Sequence, residues 1–209
     1  MQAIPKKCLP LSFYRKSDTV SVARGLLGKA LLTEIDGCLT GGIIIETEAY
    51  TGICDRASHS YNNRRTARNE VMYEAGGIAY VYVCYGIHYL LNAITGEEGD
   101  PQGVLIRAIE PIWGIETMNL RRNKKQIDKT LSNGPGAVTQ ALGVTLKQRS
   151  MALNSSTLWI AESGVEVSPE KILAGPRIGI DYAGEDALLP YRFQIKKIGD
   201  ICPRQVGIP

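Results

Sequence analysis

Gly42-Ile43-Ile44-Ile45-Glu46-Thr47-Glu48-Ala49-Tyr50 is the segment from which the architecture can be read. Its three isoleucines are apolar on both faces of an extended chain, so a strand over 42–50 starts deep in a core. Beyond them, period-two geometry puts Glu46, Glu48 and Tyr50 on one face and Thr47 and Ala49 on the other. A polar face emerging from a buried strand is how a rigid scaffold presents a functional group. Upstream, 29–34 reads as its antiparallel partner, joined through a turn at Asp36-Gly37. Further upstream, Ser17-Asp18 offers an N-cap for a helix over 19–27 that Gly28 ends.

Downstream, Tyr80-Val81-Tyr82-Val83-Cys84-Tyr85-Gly86-Ile87-His88-Tyr89 interleaves tyrosines with apolar residues and then turns at a glycine. Gly76-Gly77 opens a strand over 78–84, residues 85–88 form the turn, and 89–94 returns. The interval 54–75 is irregular and basic, with a helical turn near 70–73. A further strand over 103–109 carries Arg107 near its end. Pro111 is expected to precede an amphipathic helix to about Arg122, with Ile112, Ile115 and Met118 or Leu120 on its apolar face. Gly134-Pro135-Gly136 leads into a short helix over 137–142 whose first amides could take a phosphate or simply make a turn. The last third reads as strands over 158–162, 177–181 and 192–196 between Gly/Pro turns. The sum is an α+β fold: one compact domain over 1–209 with a mostly antiparallel sheet, flanking helices and a protruding hairpin.

Bulk properties narrow the function. The 209-residue chain is 44% hydrophobic and 22% charged, ordinary globular values, with a net charge of +3. Ten Tyr against two Phe and two Trp favours the aromatic that can stack and hydrogen-bond at once. The charge is concentrated in Arg64, Arg65 and Arg68 and in Arg121, Arg122, Lys124 and Lys125, blocks that attract polyanions or serve as solvated faces. Five cysteines (Cys8, Cys38, Cys54, Cys84, Cys202) show no CxxC spacing, and only His59 and His88 could add imidazole. That argues against a structural zinc site and for reduced thiols. No apolar run reaches the ~20 residues that span a bilayer, and residues 1–10 lack a signal core. A soluble intracellular protein is expected.

The chemistry follows from the two segments together. Glu48 at the end of a core strand, with Tyr50 two residues on, is placed to act as a general base on water. Arg107 on a neighbouring strand would hold it ionised. Tyr85, at an exposed hairpin tip, has the shape to enter a stack of bases. Enzymes that act on a base in a duplex must extrude it, at a cost of a few kcal/mol that an inserted side chain offsets in part. The extruded base then needs rings on its faces, each stack worth ~1–3 kcal/mol. Tyr50, Tyr82 and His59 could supply them.

Several motifs in order then match a known family. Glu-Thr-Glu-Ala-Tyr at 46–50, Ala-Ser-His-Ser at 57–60, Arg-Asn at 68–69, Tyr-Val-Tyr-Val-Cys-Tyr-Gly at 80–86, Asn92, Leu-Ile-Arg-Ala-Ile-Glu-Pro at 105–111, Gly-Pro at 134–135 and Arg-Ile-Gly-Ile-Asp-Tyr-Ala-Gly-Glu at 177–185 resemble the alkyladenine (3-methyladenine) DNA glycosylases. The resemblance runs from about residue 10 to 197. It implies a monofunctional N-glycosylase that flips alkylated or deaminated purines out of double-stranded DNA and leaves an abasic site. No cofactor or metal is expected, a slide-and-search enzyme would work as a monomer, and it would be cytoplasmic and nucleoid-associated in a bacterium or nuclear in a eukaryote. On that resemblance Glu48 and Arg107 are catalytic, with the Ile178 backbone helping to hold the water. Tyr50, His59, Tyr82 and Asn92 form the base pocket, Asn92 crowding the 2-amino group of guanine. Tyr85 intercalates beside Ile87 and His88, and Arg64, Thr66 and Arg68 meet the DNA backbone. Ala67, where some relatives have proline, and Ile87-His88 depart from the family pattern.

Two other classes share some of these features. A binding module would use the tyrosine hairpin as a wedge and release no base. A small-molecule nucleosidase would need neither the basic blocks nor an exposed tip tyrosine.

Overall fold

A computed structural model describes residues 3–124, 126 and 128–196. Lys125 and Cys202 lie outside the described residues. Every strand joins one antiparallel sheet. In chain order the elements are α1 (Leu11–Tyr14), α2 (Thr19–Leu26), β1 (Ala30–Ile35), β2 (Cys38–Tyr50), β3 (Ala79–Cys84), β4 (His88–Thr95), β5 (Gln102–Trp113), α3 (Ile115–Arg121), α4 (Pro135–Leu142), β6 (Leu158–Ala161), β7 (Ile172–Gly175) and β8 (Arg192–Ile195). The main path is β3-β4-β5-β2-β1-β6.

β2 is the axis of the molecule. One of its edges pairs with β5 along its length, while the other is shared: residues 38–43 pair with β1 and 46–48 with β8. The strand therefore leaves the β1 layer just where its sequence turns from isoleucine to glutamate. The face carrying Thr47 is covered by α2, whose Ala23 carbonyl accepts from the Thr47 hydroxyl at 2.9 Å. Asp18 caps α2 by accepting from the Ser21 amide at 3.1 Å, the N-cap bond expected for its position. α4 packs against β4 and β5 and buries Val138, Ala141 and Leu142.

The turn over 70–73 forms where the composition places it. The tyrosine hairpin closes with Tyr85 at φ 51° and Gly86 at φ 73°, and the Ile87 amide donates to the Cys84 carbonyl. Two successive positive φ values are what a right-twisted hairpin needs at its turn, and Gly86 meets that need without steric strain.

The structure corrects two expectations. Pro111 does not open a helix: β5 continues through it to Trp113, and the helix starts only at Ile115. Pro111 is tolerated because the register slips beside it, Gly41 pairing with Trp113 and Gly42 with Pro111. The slip brings Glu110 so close that a Cβ on residue 42 would lie 2.2 Å from its carbonyl oxygen, so that position must be glycine. In the helix that follows, Met118 is the buried residue and Leu120 is exposed. The second correction concerns 177–181, which is not a strand: it is irregular through Ile180, and Asp181 begins a 3-10 helix. Arg177 turns inward there to meet a buried carboxylate, and the edge strand before it is β7.

Among the described residues no helix is long and apolar enough to cross a membrane.

Candidate active site

The site is built where β2 and β5 fall out of step. Ile44 pairs with Ile109 and Glu46 with Ala108, which leaves Ile45 as an extra residue on β2. One step later Glu46 pairs with Ala108 and Thr47 with Ile106, which leaves Arg107 extra on β5. Two opposed bulges restore the register, and each re-aims a side chain. The Arg107 carbonyl leaves the ladder and accepts from the Gly134 amide at 3.0 Å, just ahead of α4. Its guanidinium swings onto both acids, Nε 3.1 Å from Glu46 Oε1 and Nη1 3.3 Å from Glu48 Oε2.

Glu48 has no solvent exposure. Its Oε1 accepts from the Ile178 amide at 2.8 Å, and its Oε2 accepts from the Tyr50 hydroxyl at 2.9 Å and faces Arg107. Burial pushes its carboxyl above the usual range, against the pull of Arg107, the Ile178 amide and the Tyr50 hydroxyl, while nearby Glu46 adds to the rise. Glu46 is itself held from both sides, by Arg107 and by Arg192 Nη1 at 3.1 Å. The four charged groups pair off, two acids against two arginines, so the cluster carries fixed charge of both signs but little net charge.

Tyr50, Arg107 and Ile178, the three groups that bond Glu48, all line a cavity of about 830 Å³. Glu48 thus lies one layer behind the cavity wall. The rest of the lining includes His59, Tyr82, Tyr85, His88, Asn92 and Leu105. His59 and Tyr82 meet edge to face with centroids 4.6 Å apart, and Tyr80 backs them at 5.3 Å from Tyr82. The His59 Nδ1 and the Tyr80 hydroxyl are 2.9 Å apart. Burial, with Arg68 and Arg64 nearby, drives His59 down to about 4, so its imidazole is neutral at pH 7. Asn92 is buried with its amide donating to the Tyr80 carbonyl at 3.2 Å, across the β3–β4 ladder. At the opening, Tyr85 is 87% and Ile87 74% exposed. His88 is exposed as well, its ring lying over Gly136 at the start of α4.

The basic interval 54–75 borders a second cavity of about 290 Å³, lined by Arg64, Thr66, Arg68 and Arg56 among others and sharing His59 with the first. Arg64, Thr66 and Arg68 are exposed. The Thr66 amide and hydroxyl both donate to Asn69 Oδ1, and the Ala67 carbonyl accepts from Arg149, so the segment is held despite having alanine at 67. Arg68 lies 5.2 Å over the Tyr82 ring and donates to the Val83 carbonyl at 3.0 Å, tying the basic segment to the hairpin. The other basic block is spent mainly inside the fold: Arg121 bonds Thr40 and the Ile35 carbonyl, Arg122 bonds the Leu131 carbonyl, and Lys124 pairs with Asp128.

The structure therefore gathers Glu48, Arg107, Tyr50, His59, Tyr82, Asn92, Ile178, Tyr85, Ile87 and His88 around one cavity and its mouth. Arg64, Thr66 and Arg68 flank it. Sequence reasoning passed over three groups. Glu46 is the second acid on Arg107, a role its shared face with Glu48 could have signalled. Tyr182, 72% exposed, lines both cavities and donates to the Ala57 carbonyl at 3.3 Å. Asp55 and Arg177 form a fully buried ion pair behind Tyr50. Among the described residues no group of three or more His, Cys, Asp or Glu could hold a metal ion.

A family model described as methylpurine-DNA glycosylase (MPG) matches residues 12–198. Similar chains named "Putative 3-methyladenine DNA glycosylase" include one from Bacillus cereus, 52% identical over 192 residues and covering 88% of this chain and 93% of that one. One from Bacillus thuringiensis is 51% identical over 197 residues with the same coverage. One from Bacillus mycoides is 50% identical over 196 residues, covering 90% of this chain and 96% of that one.

Proposed function

The chain belongs to the methylpurine-DNA glycosylase family and is a DNA repair enzyme, and on that premise we propose that it removes alkylated or deaminated purines from double-stranded DNA, using Glu48 to activate water. The observation that carries this reading is the seat of Glu48, a desolvated carboxylate held by Arg107 and the Ile178 amide immediately behind a tyrosine-lined cavity. Its Oε1 accepts a single hydrogen bond and keeps a lone pair for a water proton.

In the proposed reaction the water oxygen bonds to the sugar C1′ of the flipped nucleotide and its proton passes to Glu48. The electron pair of the C1′–N9 bond leaves with the purine, and an abasic site remains. A purine alkylated at N3 or N7 carries a positive charge that this electron pair neutralises. Faces of Tyr50 and Tyr82 attract such a cation through their ring quadrupoles, and a neutral His59 adds no repulsion. Neutral bases such as hypoxanthine or ethenoadenine leave only with help at the ring, and His59, uncharged at pH 7, is no ready acid. We therefore expect 3-methyladenine and 7-methylguanine to be released faster than the neutral lesions. In this reading Asn92 tests the minor-groove edge of the base, and Tyr85 with Ile87 fills the gap it leaves. Among the described residues the lining contains no lysine, which supports hydrolysis over Schiff-base strand cleavage. The proposed enzyme acts as a single-domain monomer on damaged DNA in the cytoplasm.

The test is Glu48→Gln assayed on duplexes carrying each lesion in turn. Base release should fall by about 10²–10⁴-fold, the usual worth of a general base, while binding to a duplex with an abasic analogue persists. A variant that still turns over would remove Glu48 from its role.

A further inference from the structure

We propose that Arg177 is a positioning residue for Glu48, its buried fork on Asp55 setting the Ile178 amide against the carboxylate. This rests on Glu48 being the base. Arg177 and Asp55 have no side-chain exposure and meet bidentately, Nη1 to Oδ2 at 2.5 Å and Nη2 to Oδ1 at 2.8 Å. The same guanidinium donates to the Ala49 carbonyl at 2.9 Å, between Glu48 and Tyr50 on β2, and to the Asp186 carbonyl at 3.2 Å. It lies against two rings, 4.8 Å from the Tyr50 centroid and 5.4 Å from that of Tyr191. The next residue is Ile178, whose amide holds Glu48 Oε1 at 2.8 Å. Asp55 meanwhile accepts from the Thr51 and Ala57 amides, at the base of the loop that carries His59. One buried cation therefore joins the end of the catalytic strand, the loop with the pocket histidine and the segment that bonds the carboxylate.

Stability alone does not account for this arrangement. Buried ion pairs are often replaceable by apolar side chains of similar volume without loss, and here the Arg177 Nε is buried with no partner among the described residues, an added penalty. What an apolar residue lacks is the fork: a planar group that binds Asp55, Ala49 and Asp186 at once fixes the backbone of 177–178 in direction as well as position. Sub-ångström placement of a catalytic base is where such rigidity has its effect.

The groups facing Glu48 are Arg107 from β5, Glu46 and Tyr50 from β2 itself, Arg192 paired opposite it on β8, and Arg177 with the Ile178 amide. Losing the amide bond removes an interaction that favours the ionised carboxylate, so the acid limb of excision moves to higher pH. Arg177→Lys keeps a charge for Asp55 but cannot fork. With the variant shown folded by thermal unfolding, single-turnover excision of 7-methylguanine from duplex DNA should fall about 10- to 100-fold. Affinity for a duplex carrying a tetrahydrofuran abasic analogue should stay within about threefold, because the fork lies behind the DNA-facing surface. A folded Arg177→Lys enzyme with the parent rate and acid limb overturns the proposal, as does a loss confined to duplex affinity. Should the lysine variant not fold, Tyr191→Leu, which removes one ring from the guanidinium, must lower the rate at unchanged affinity; a parental rate overturns it equally. Glu48→Gln run alongside separates the two readings. Activity in that variant sinks the assignment of the base, whereas an inactive Glu48→Gln beside a fully active Arg177→Lys sinks the positioning role alone.

Discussion

Glu48 and Tyr85 serve the same cavity, yet one has 0% and the other 87% of its surface exposed. Glu48 sits mid-sheet with every oxygen engaged, on a strand flanked by β5 and β8. Tyr85 stands on a two-stranded projection, in a left-handed conformation, with its ring in solvent. In the proposed mechanism burial would make the carboxylate reactive and fix its aim, since desolvation raises its affinity for a proton and neighbours dictate its rotamer. Exposure leaves the tyrosine free to meet a surface that arrives from outside. A change in the first region should therefore disturb folding and chemistry together, and a change in the second should disturb DNA handling alone.

The sharpest way to break that contrast is Arg107→Met. It leaves Glu46 with Arg192 and leaves Glu48 without its cation, and breaking a buried pair of this kind costs about 3–5 kcal/mol, readable by urea denaturation. Excision should fall at least about 100-fold in the same variant. With Glu48 as the proposed base, its burial is expected to set the parent's acid limb above the ordinary carboxylate range, and loss of Arg107 should move the residual limb higher still. Tyr85→Ala is the counterpart. Stability should stay within about 0.5 kcal/mol, as for other exposed sites, while affinity for lesion duplexes drops by the ~1–3 kcal/mol of a lost stack. A Tyr85→Ala protein that unfolds early would dissolve the distinction.

His59 tests the middle ground between the two regions. Its folded-state value of about 4 is depressed from the ordinary 6.5, so the unfolded chain takes up the proton first. Stability from this group is present above pH 6.5 and is lost as pH falls from there toward 4, by about 1–3 kcal/mol after allowance for its partial exposure. His59→Gln should flatten that acid slope in chemical denaturation at a series of pH values. The smallest effect is expected from Ile87→Ala, a few-fold loss in duplex affinity at unchanged stability, measured by fluorescence anisotropy.

Local signals explain what could be read early. The helix capped by Asp18, the turn over 70–73, the Tyr85-Gly86 hairpin and the apolar-to-acidic switch in β2 each depend on residues within a few positions of one another. The misreadings share a different cause. Pro111 looks like a helix start until a register slip against Gly41-Gly42 gives it a place in a strand. Residues 177–181 look like a strand until Asp55, far away in the chain, draws Arg177 inward. The paired bulges at Ile45 and Arg107 leave no local mark, because either residue would suit a regular ladder.

The residue types and their spacing by themselves determined an antiparallel α+β architecture, an acid and a tyrosine on one strand face, and a solvent-directed tyrosine turn, since backbone period and turn preference are properties of short stretches. Tertiary structure alone decided that Arg107 bridges two glutamates, that Glu48 lies behind the cavity wall, and that Arg177 reaches Asp55. Those outcomes depend on strand register and on the pairing of distant buried charges, which form only once the sheet has closed around them.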